Sequence, residues 1–596
     1  MAHSTSATRL ATNTLLVAAL LGLSVWTPLR LTAQGGGPSS ERPRNSQPDP
    51  CEQSLQAIGE AIGLHRRCEG AGGGGGAAKG DFNGDGVADL AVGVPFEDQD
   101  GINAVGGVNI IYGSAKGLTA TADQFLDPTT FGYSYVSNDH FGWALAAGDF
   151  NGDTYSDLAI GMPDNDVAGV TDAGVVLLIS GSPNGLLTAT GRTLPLLPGG
   201  VGNAGQSLVW ADFDGDSFGD LAVGIPGATI SVLNFPLGLV VPVCLTASYS
   251  AAGEVQVFYG GATGLSGVGA QRLRQGSIDG DFCNAPSSRV VGNFPSPDDR
   301  FGTTLAAGDF NGDTNADLVI GVPFESFDDD VAAGLDFFGV VHVVPGSTDG
   351  LVANDAQTVS QATAGVGGGA ETGDQFGRSL AVGDFNADLR DDLAIGVPFE
   401  DLVDNTAADA GVVHVLLGSF NSGELVTTVD SKFISQATLS GVAVEAGDRF
   451  GWALAVGRFD GDFFEDLAIG VPGEAVGSVA KAGIVQVLYG SLNGPSMTRV
   501  QTWHQNIAGI PDTVESGDQF GYALSAWNYG NSDHSDLAIG APFEDLSSQV
   551  DAGAVTVIYG SATGLSVAVA PQLWHQDVSG INDVLQVGDR FGNALY

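Results

Sequence analysis

The sequence predicts an all-β fold, a seven-bladed β-propeller with its ring closed by the C-terminal strand. Three observations carry this. A short apolar motif recurs seven times: DLAVGVP from Asp89, DLAIGMP from Asp157, DLAVGIP from Asp220, DLVIGVP from Asp317, DLAIGVP from Asp392 and Asp466, and DLAIGAP from Asp536. Each copy sits in a repeat with room for four short strands, the content of one propeller blade. The two ends of the array also complement one another.

Within each motif Leu, Ile or Val alternate with Ala or Gly, the two-residue period of a strand. Neither face carries charge, as in a strand covered on both sides. The small residues let a neighbouring sheet approach closely. Ahead of the motif stands Phe-Gly, at Phe141-Gly142, Phe301-Gly302, Phe376-Gly377, Phe450-Gly451 and Phe520-Gly521. Behind it come a variable polar loop, an expected strand such as 174–179 or 554–559, and a glycine turn such as 113–118 or 560–565. A more polar segment such as 501–505 follows. The first repeat starts abruptly at Ala77 with no Phe-Gly, while Phe591-Gly592-Asn593-Ala594-Leu595-Tyr596 follows the last repeat as an orphan. The C-terminal fragment supplies what the first repeat lacks, and joining them removes an open sheet edge. The alternative is a chain cut within a further repeat.

Outside the array, residues 1–33 read as a secretory signal, with Arg9 as the positive flank, an apolar run from Leu15 to Val25, and Ala33 as a cleavage point. That run is too short to span a bilayer; an uncleaved anchor is the alternative. Residues 34–76 read as a disordered, glycine-rich linker ending in the tether Gly72 to Gly76. Residues 77–596 are the propeller. Four cysteines fall in two locally close pairs, Cys51 with Cys68 and Cys244 with Cys283. Local pairing is expected in an exported protein, although four cysteines allow three connectivities. With 69 acidic against 21 basic residues the formal charge is -48, which disfavours nucleic acid and anionic lipid as partners. Bound divalent cations would relieve part of that self-repulsion.

Ahead of each motif lies a nine-position loop. The first has Asp81, Asn83, Asp85 and Asp89 at positions one, three, five and nine. The second has Asp149, Asn151, Asp153 and Asp157, and the third Asp212, Asp214, Asp216 and Asp220. The fourth has Asp309, Asn311, Asp313 and Asp317, and the fifth Asp384, Asn386, Asp388 and Asp392. Alternate oxygen donors in a tight loop suit one hard cation, with a backbone carbonyl from Val87, Tyr155, Phe218, Asn315 or Arg390 at position seven. Oxygen-only donors favour Ca2+ over zinc or copper, so about five calcium sites are expected. The aromatic at position two (Phe82, Phe150, Phe213, Phe310, Phe385) is expected to anchor the loop inward. Only the first loop keeps glycine at position six; loop five also has Ala387 at position four. Loop six begins with Arg458, whose guanidinium is expected to occupy or repel the cation site. Loop seven (Asn528, Gly530, Ser532, His534, Asp536) has lost nearly all its charge and reads as a metal-free turn.

Phe-Gly, the acidic loop and the closing Gly-x-Pro, literally Gly540-Ala541-Pro542 in the last copy, resemble FG-GAP repeats, which build the seven-bladed propeller heading integrin α chains. The resemblance spans residues 77–596. It implies calcium loops on one face and partner recognition on the other, through loops corresponding to Glu97 to Val105, Asp164 to Asp172 and Phe324 to Phe338. The apolar insertion Leu233 to Tyr249 belongs with them, as a docking surface or as a lid stapled by Cys244. There is no stalk of sandwich domains and no Arg-Gly-Asp, so a complete integrin subunit is not expected.

Two classes of function remain. The first is a secreted, monomeric adhesion or binding protein without catalysis, whose partner is an extracellular protein or a polysaccharide bound in lectin fashion. The second is the non-catalytic propeller of an extracellular hydrolase, because FG-GAP propellers accompany a glycosylphosphatidylinositol-specific phospholipase. Residues 34–76 are too short for such a catalytic domain, and no Gly-x-Ser-x-Gly elbow or zinc-type histidine cluster occurs. His342 and His414 lie in apolar strands, and His504 and His575 in matching Trp-His-Gln segments, so all four read as repeat structure. Carboxylate pairs of the glycosidase kind stay open among so many acids.

Overall fold

Alternation of large and small apolar residues makes each DLAxGxP segment a strand that can be covered on both faces, and in the computed structural model all seven are buried along their length. The structure describes residues 80–198, 202–234, 245–276, 289–291, 295–326, 337–402, 407–421, 423–439 and 443–596. The expected signal, linker and all four cysteines lie outside them.

Each motif strand is second from the axis of a four-stranded antiparallel sheet. In blade two the order outward is Leu145–Gly148, Asp157–Met162, Val175–Ile179 and Arg192–Thr193. Blades four to seven repeat this pattern. In blade one, Leu90–Val94 pairs outward with Gly107–Tyr112 and inward with Ala594–Leu595 from the far end of the chain. The ring closes as the two ends predicted. Tyr596 extends the seam: its hydroxyl donates to the Ala147 carbonyl at 2.6 Å and accepts from Trp210 Nε1 at 2.6 Å.

Blade three departs from the four-strand plan. Its outer strand Gln271–Gln275 gains a parallel neighbour, Arg289–Val291, and the apolar insertion forms a separate hairpin, Ile230–Asn234 against Leu245–Tyr249. Residues 235–244 of that insertion lie outside the described ones.

The two glycines of the repeat meet between blades. A Cβ on the Gly-x-Pro glycine would stand 2.2 Å from the carbonyl of the next blade's entry glycine at Gly93 and Gly142, 2.0 Å at Gly161 and Gly205 (preceded by Ala204 in place of Phe), and 2.1 Å at Gly470 and Gly521. Gly540 against Gly592 repeats this across the seam at 2.2 Å. The adjoining Phe141, Phe301, Phe376, Phe450, Phe520 and Phe591 are fully buried between sheets. Sheet-to-sheet distance is therefore set by backbone against backbone.

Overpacking a close contact costs about 1–3 kcal/mol. Gly470→Ala is expected to lower the melting temperature measurably. Gly261→Ala, with nothing within 4 Å of its added methyl, is expected to leave it unchanged in the same calorimetric scan.

Candidate metal centres and the opposite face

Position one of loops one to five works twice. The Asp81 carboxylate accepts the N–H groups of Gly84 (2.6 Å), Asp85 (3.1 Å) and Gly86 (2.8 Å), which curls the loop. Its backbone carbonyl accepts the Ser156 N–H of the second loop at 3.0 Å. The same link recurs at every junction: Gly219 to Asp149 (2.9 Å), Ala316 to Asp212 (2.9 Å), Asp391 to Asp309 (3.0 Å), Glu465 to Asp384 (3.1 Å) and Ser535 to Arg458 (3.1 Å). Ala88 to Asn528 (2.9 Å) completes the circle. Seven backbone hydrogen bonds thus tie the seven loops into one ring, whatever side chain stands at position one.

Position nine is also shared by all seven. Asp89 accepts the Phe82 N–H and the Gly113 N–H at 2.8 Å each. Asp466 and Asp536, in the loops expected to be metal-free, do the same with Phe459 and Gly490, and with Tyr529 and Gly560. The aspartate that opens each motif is therefore a backbone clamp first. Burial pushes its pKa up, to about 8 for Asp89, Asp220, Asp317 and Asp392 and about 7 for Asp157.

In loop three the donors gather as a hard cation requires. One carboxylate oxygen from each of Asp212, Asp214 and Asp216 lies within 4.8 Å of the others, the spread of ligands around an ion bonded at 2.3–2.6 Å. In loop five the buried Asn386 Oδ1 has no hydrogen-bond partner, an acceptor available to a cation. The missing sixth-position glycines matter less than the sequence implies. Gly86, Thr154, Ser217, Thr314 and Leu389 all take left-handed backbone, with φ of 89, 76, 75, 80 and 73°, because each sixth N–H is held by the first carboxylate. The position-two aromatics are buried, as predicted.

Position seven brings an unforeseen contact. Its N–H binds the fifth-position carboxylate, as in Val87 to Asp85 at 2.9 Å and Tyr155 to Asp153 at 3.0 Å. Its side chain covers the preceding loop: a Cβ on Gly84 would lie 2.5 Å from Tyr155, on Gly152 2.5 Å from Phe218, and on Gly215 2.4 Å from Asn315. Arg390 reaches loop four through Nε to the Asn311 carbonyl at 3.2 Å and stacks on Phe420 at 3.6 Å, which leaves loop five unobstructed. Loop six departs from expectation. Arg458 turns away, its Nε 3.8 Å from Glu465 Oε1.

The other ends of the same strands carry a different chemistry. Aromatic residues beside Phe-Gly and Gly-x-Pro join across blades: Trp143 with Phe96 (6.2 Å), Tyr522 with Phe543 (5.8 Å), Trp452 with Tyr522 (5.4 Å) and Phe399 with Trp452 (6.1 Å). Guanidinium groups bridge the gaps. Arg590 lies 4.4 Å from Phe96 and 4.8 Å from Phe543, Arg449 between Phe399 and Trp452, and Arg378 5.3 Å from Trp452. A half-buried arc of alternating rings and cations therefore crosses blades two, one, seven, six and five.

Behind the arc, glutamines latch neighbouring blades. Gln275 donates to Glu325 (2.5 Å), Gln361 to Glu400 (2.5 Å), Gln436 to Glu474 (2.5 Å), Gln505 to Glu544 (2.6 Å) and Gln576 to Glu97 across the seam. The amide oxygen of each of these glutamines is buried without a partner. A protonated carboxyl carries the donor it lacks. Burial, reinforced by the neighbouring acids, raises Glu400 to about 7 (Glu371, Asp401), Glu474 to about 8 (Asp448, Glu445) and Glu544 to about 9 (Asp512, Asp518, Glu515).

With the architecture in place, six segments match the FG-GAP repeat family: 73–111, 141–179, 204–240, 301–344, 376–416 and 450–488. By fold and motif the chain is an FG-GAP repeat β-propeller. Within that class it is similar to bovine (Bos taurus) phosphatidylinositol-glycan-specific phospholipase D, 37% identical over 150 residues, 25% of this chain and 18% of that protein. It is also similar to integrin alpha-PS2 of Drosophila melanogaster, 29% identical over 254 residues, 42% of this chain and 16% of that one. The aligned region is thus less than a fifth of either relative's length. Among solved structures, a Bacillus licheniformis rhamnogalacturonan lyase is 11% identical with a TM-score of 0.33, over 87% of this chain and 76% of its own. Among the described residues no helix is long and apolar enough to cross a membrane.

The glutamate latches predict a direction for pH. Their folded-state values lie above the ordinary 4.5, so their contribution is complete below about pH 4.5 and is lost as pH rises through 7 to 9. Thermal unfolding is expected to shift downward between pH 5 and 9, and Glu544→Gln to flatten that slope. An unchanged slope in the variant would refute the assignment.

Proposed function

We propose that this chain is a secreted, monomeric, calcium-stabilised binding protein that recognises an extracellular protein or polysaccharide with the face opposite the aspartate loops and performs no catalysis. The observation that carries this is the arc of half-buried aromatics and arginines on that face. Tyr, Trp and Arg are the side chains that concentrate binding energy at protein interfaces, and aromatic faces also stack on sugars. Extracellular placement is supported by the expected signal at residues 1–33 and by the likeness to integrin α chains. The accessory propeller of a hydrolase is the second reading, favoured by the 37% identity to phospholipase D.

In this reading Ca2+ sits in loops one to five, held by the carboxylates and amides at positions one, three, five and nine and by the position-seven carbonyl. Its charge offsets the repulsion of acids gathered within a few ångströms. The ion supplies stability and no chemistry.

Calorimetric titration of calcium into the chelator-treated full chain is expected to register about five sites. Each site adds about 2.7 kcal/mol when free calcium is 100 times its Kd, so chelation is expected to lower the melting temperature steeply. Absence of both effects would remove the calcium reading. Trp452→Ala and Arg449→Ala are expected to weaken glycan-array or cell-surface binding at least tenfold with calcium binding intact. Turnover in a hydrolase panel would instead favour an enzymatic role.

A further inference from the structure

Loop six gathers acids as loop three does. Asp460, Asp462 and Asp466 bring one carboxylate oxygen each within 4.8 Å of one another. The Asp460 side chain is only 4% exposed, and in so confined a place three carboxylates repel strongly. A cation is already there. Arg499, just ahead of the outer strand Val500–Trp503, reaches back so that Nη1 stands 2.5 Å from Asp460 Oδ2. Its guanidinium is braced 4.1 Å from the centre of the Tyr489 ring, and that ring is fixed by its hydroxyl, which donates to Gln501 at 2.5 Å and accepts the Leu565 N–H at 3.1 Å.

The other six blades provide an internal control. The ladders align Gln501 with Gln124, Arg192, Gln271, Gln357, Lys432 and Gln572. Two residues earlier, where blade six has Arg499, blades two, three, four and seven carry Thr190, Gly269, Asp355 and Ala570, and across the register shifts of blades one and five the same ladder place holds Thr119 and Thr427. A basic residue occurs there only in blade six, whose loop has lost its first aspartate but keeps three others; loop seven, which has lost it too, keeps only Asp536 among the ligand positions and has Ala570 there.

We propose that Arg499 is the built-in cation of loop six, a guanidinium tethered in cis where loops one to five take a divalent ion, and that removing it, with an aspartate restored at position one, opens a calcium site. The obstruction is thus Arg499 and not Arg458, which has turned toward Glu465. The second half of this inference rests on the calcium reading of loops one to five; the first half does not.

Both halves can be tested on the full chain. Calcium calorimetry is expected to give the wild-type stoichiometry for Arg458→Asp alone, because Arg499 still fills the loop. One further site is expected for Arg458→Asp combined with Arg499→Ala. An added site in Arg458→Asp alone, or none in the double variant, would overturn the proposal. In chelator, Arg499→Ala is expected to melt several degrees below wild type, and adding Asp460→Asn to recover part of that loss by removing the unpaired charge. No recovery would overturn the tethered-cation role even if the wild type bound no calcium, an outcome that would itself sink only the reading of the other loops.

Discussion

Seven backbone hydrogen bonds run from loop to loop around one face of this propeller, each from a position-eight N–H to the position-one carbonyl of the preceding loop. They fix where each innermost strand ends relative to its neighbour. Strands that follow such a fixed point can bury both faces only if the sheets approach uniformly, and the glycine contacts at the opposite ends set that approach. Closure depends on both. Ala88 to Asn528 completes the loop ring, and Ala594–Leu595 completes the sheet of blade one. A backbone link is indifferent to side chains, so loops six and seven can shed the acids of position one and still keep their place.

The two faces then become free to do different things. On the loop face, carboxylates are concentrated and their mutual repulsion has to be offset, by backbone N–H groups, by a cation, or by Arg499. On the other face, the strand ends expose one residue on either side of Phe-Gly and one after Gly-x-Pro. There the chain places rings and guanidiniums, an unusual concentration of positive charge in a molecule carrying 69 acids. Buried Gln–Glu latches beneath them hold neighbouring blades together, so the rigidity of the arc and the protonation of those glutamates are linked.

Most of the fold was legible because it is written seven times. A period shared by Asp89, Asp157, Asp220 and their counterparts separates structure from accident, and Phe591-Gly592 could be matched to the first repeat by the same frame. What escaped is what the frame does not encode in side chains. Ala88, Ser156, Gly219, Ala316, Asp391, Glu465 and Ser535 share a role and no chemistry, because the backbone performs it. Two of the five latch glutamines, Gln505 and Gln576, were visible in the Trp-His-Gln segments, but their partners stand in the next repeat, 479 residues away for Gln576 and Glu97. Blade three broke the pattern through an insertion whose pairing no other copy foreshadows. Arg458 misled because sequence position gave its place in the loop but not the direction of its side chain.

The loops are also physically coupled, because the position-seven side chain of one covers the loop before it. Tyr155 belongs to loop two, where its N–H binds Asp153, yet its ring rests on Gly84 of loop one. Phe218 and Asn315 extend the relation to loops two and three. A cation that orders one loop therefore orders the side chain covering its neighbour, and part of the entropic cost of arranging the second loop is already met. Where the chain supplies its own cation, as at Arg499, that order is permanent. If loops one to five take calcium as proposed, blade six would hold its sector of the ring at any concentration of the ion while their sectors respond to it.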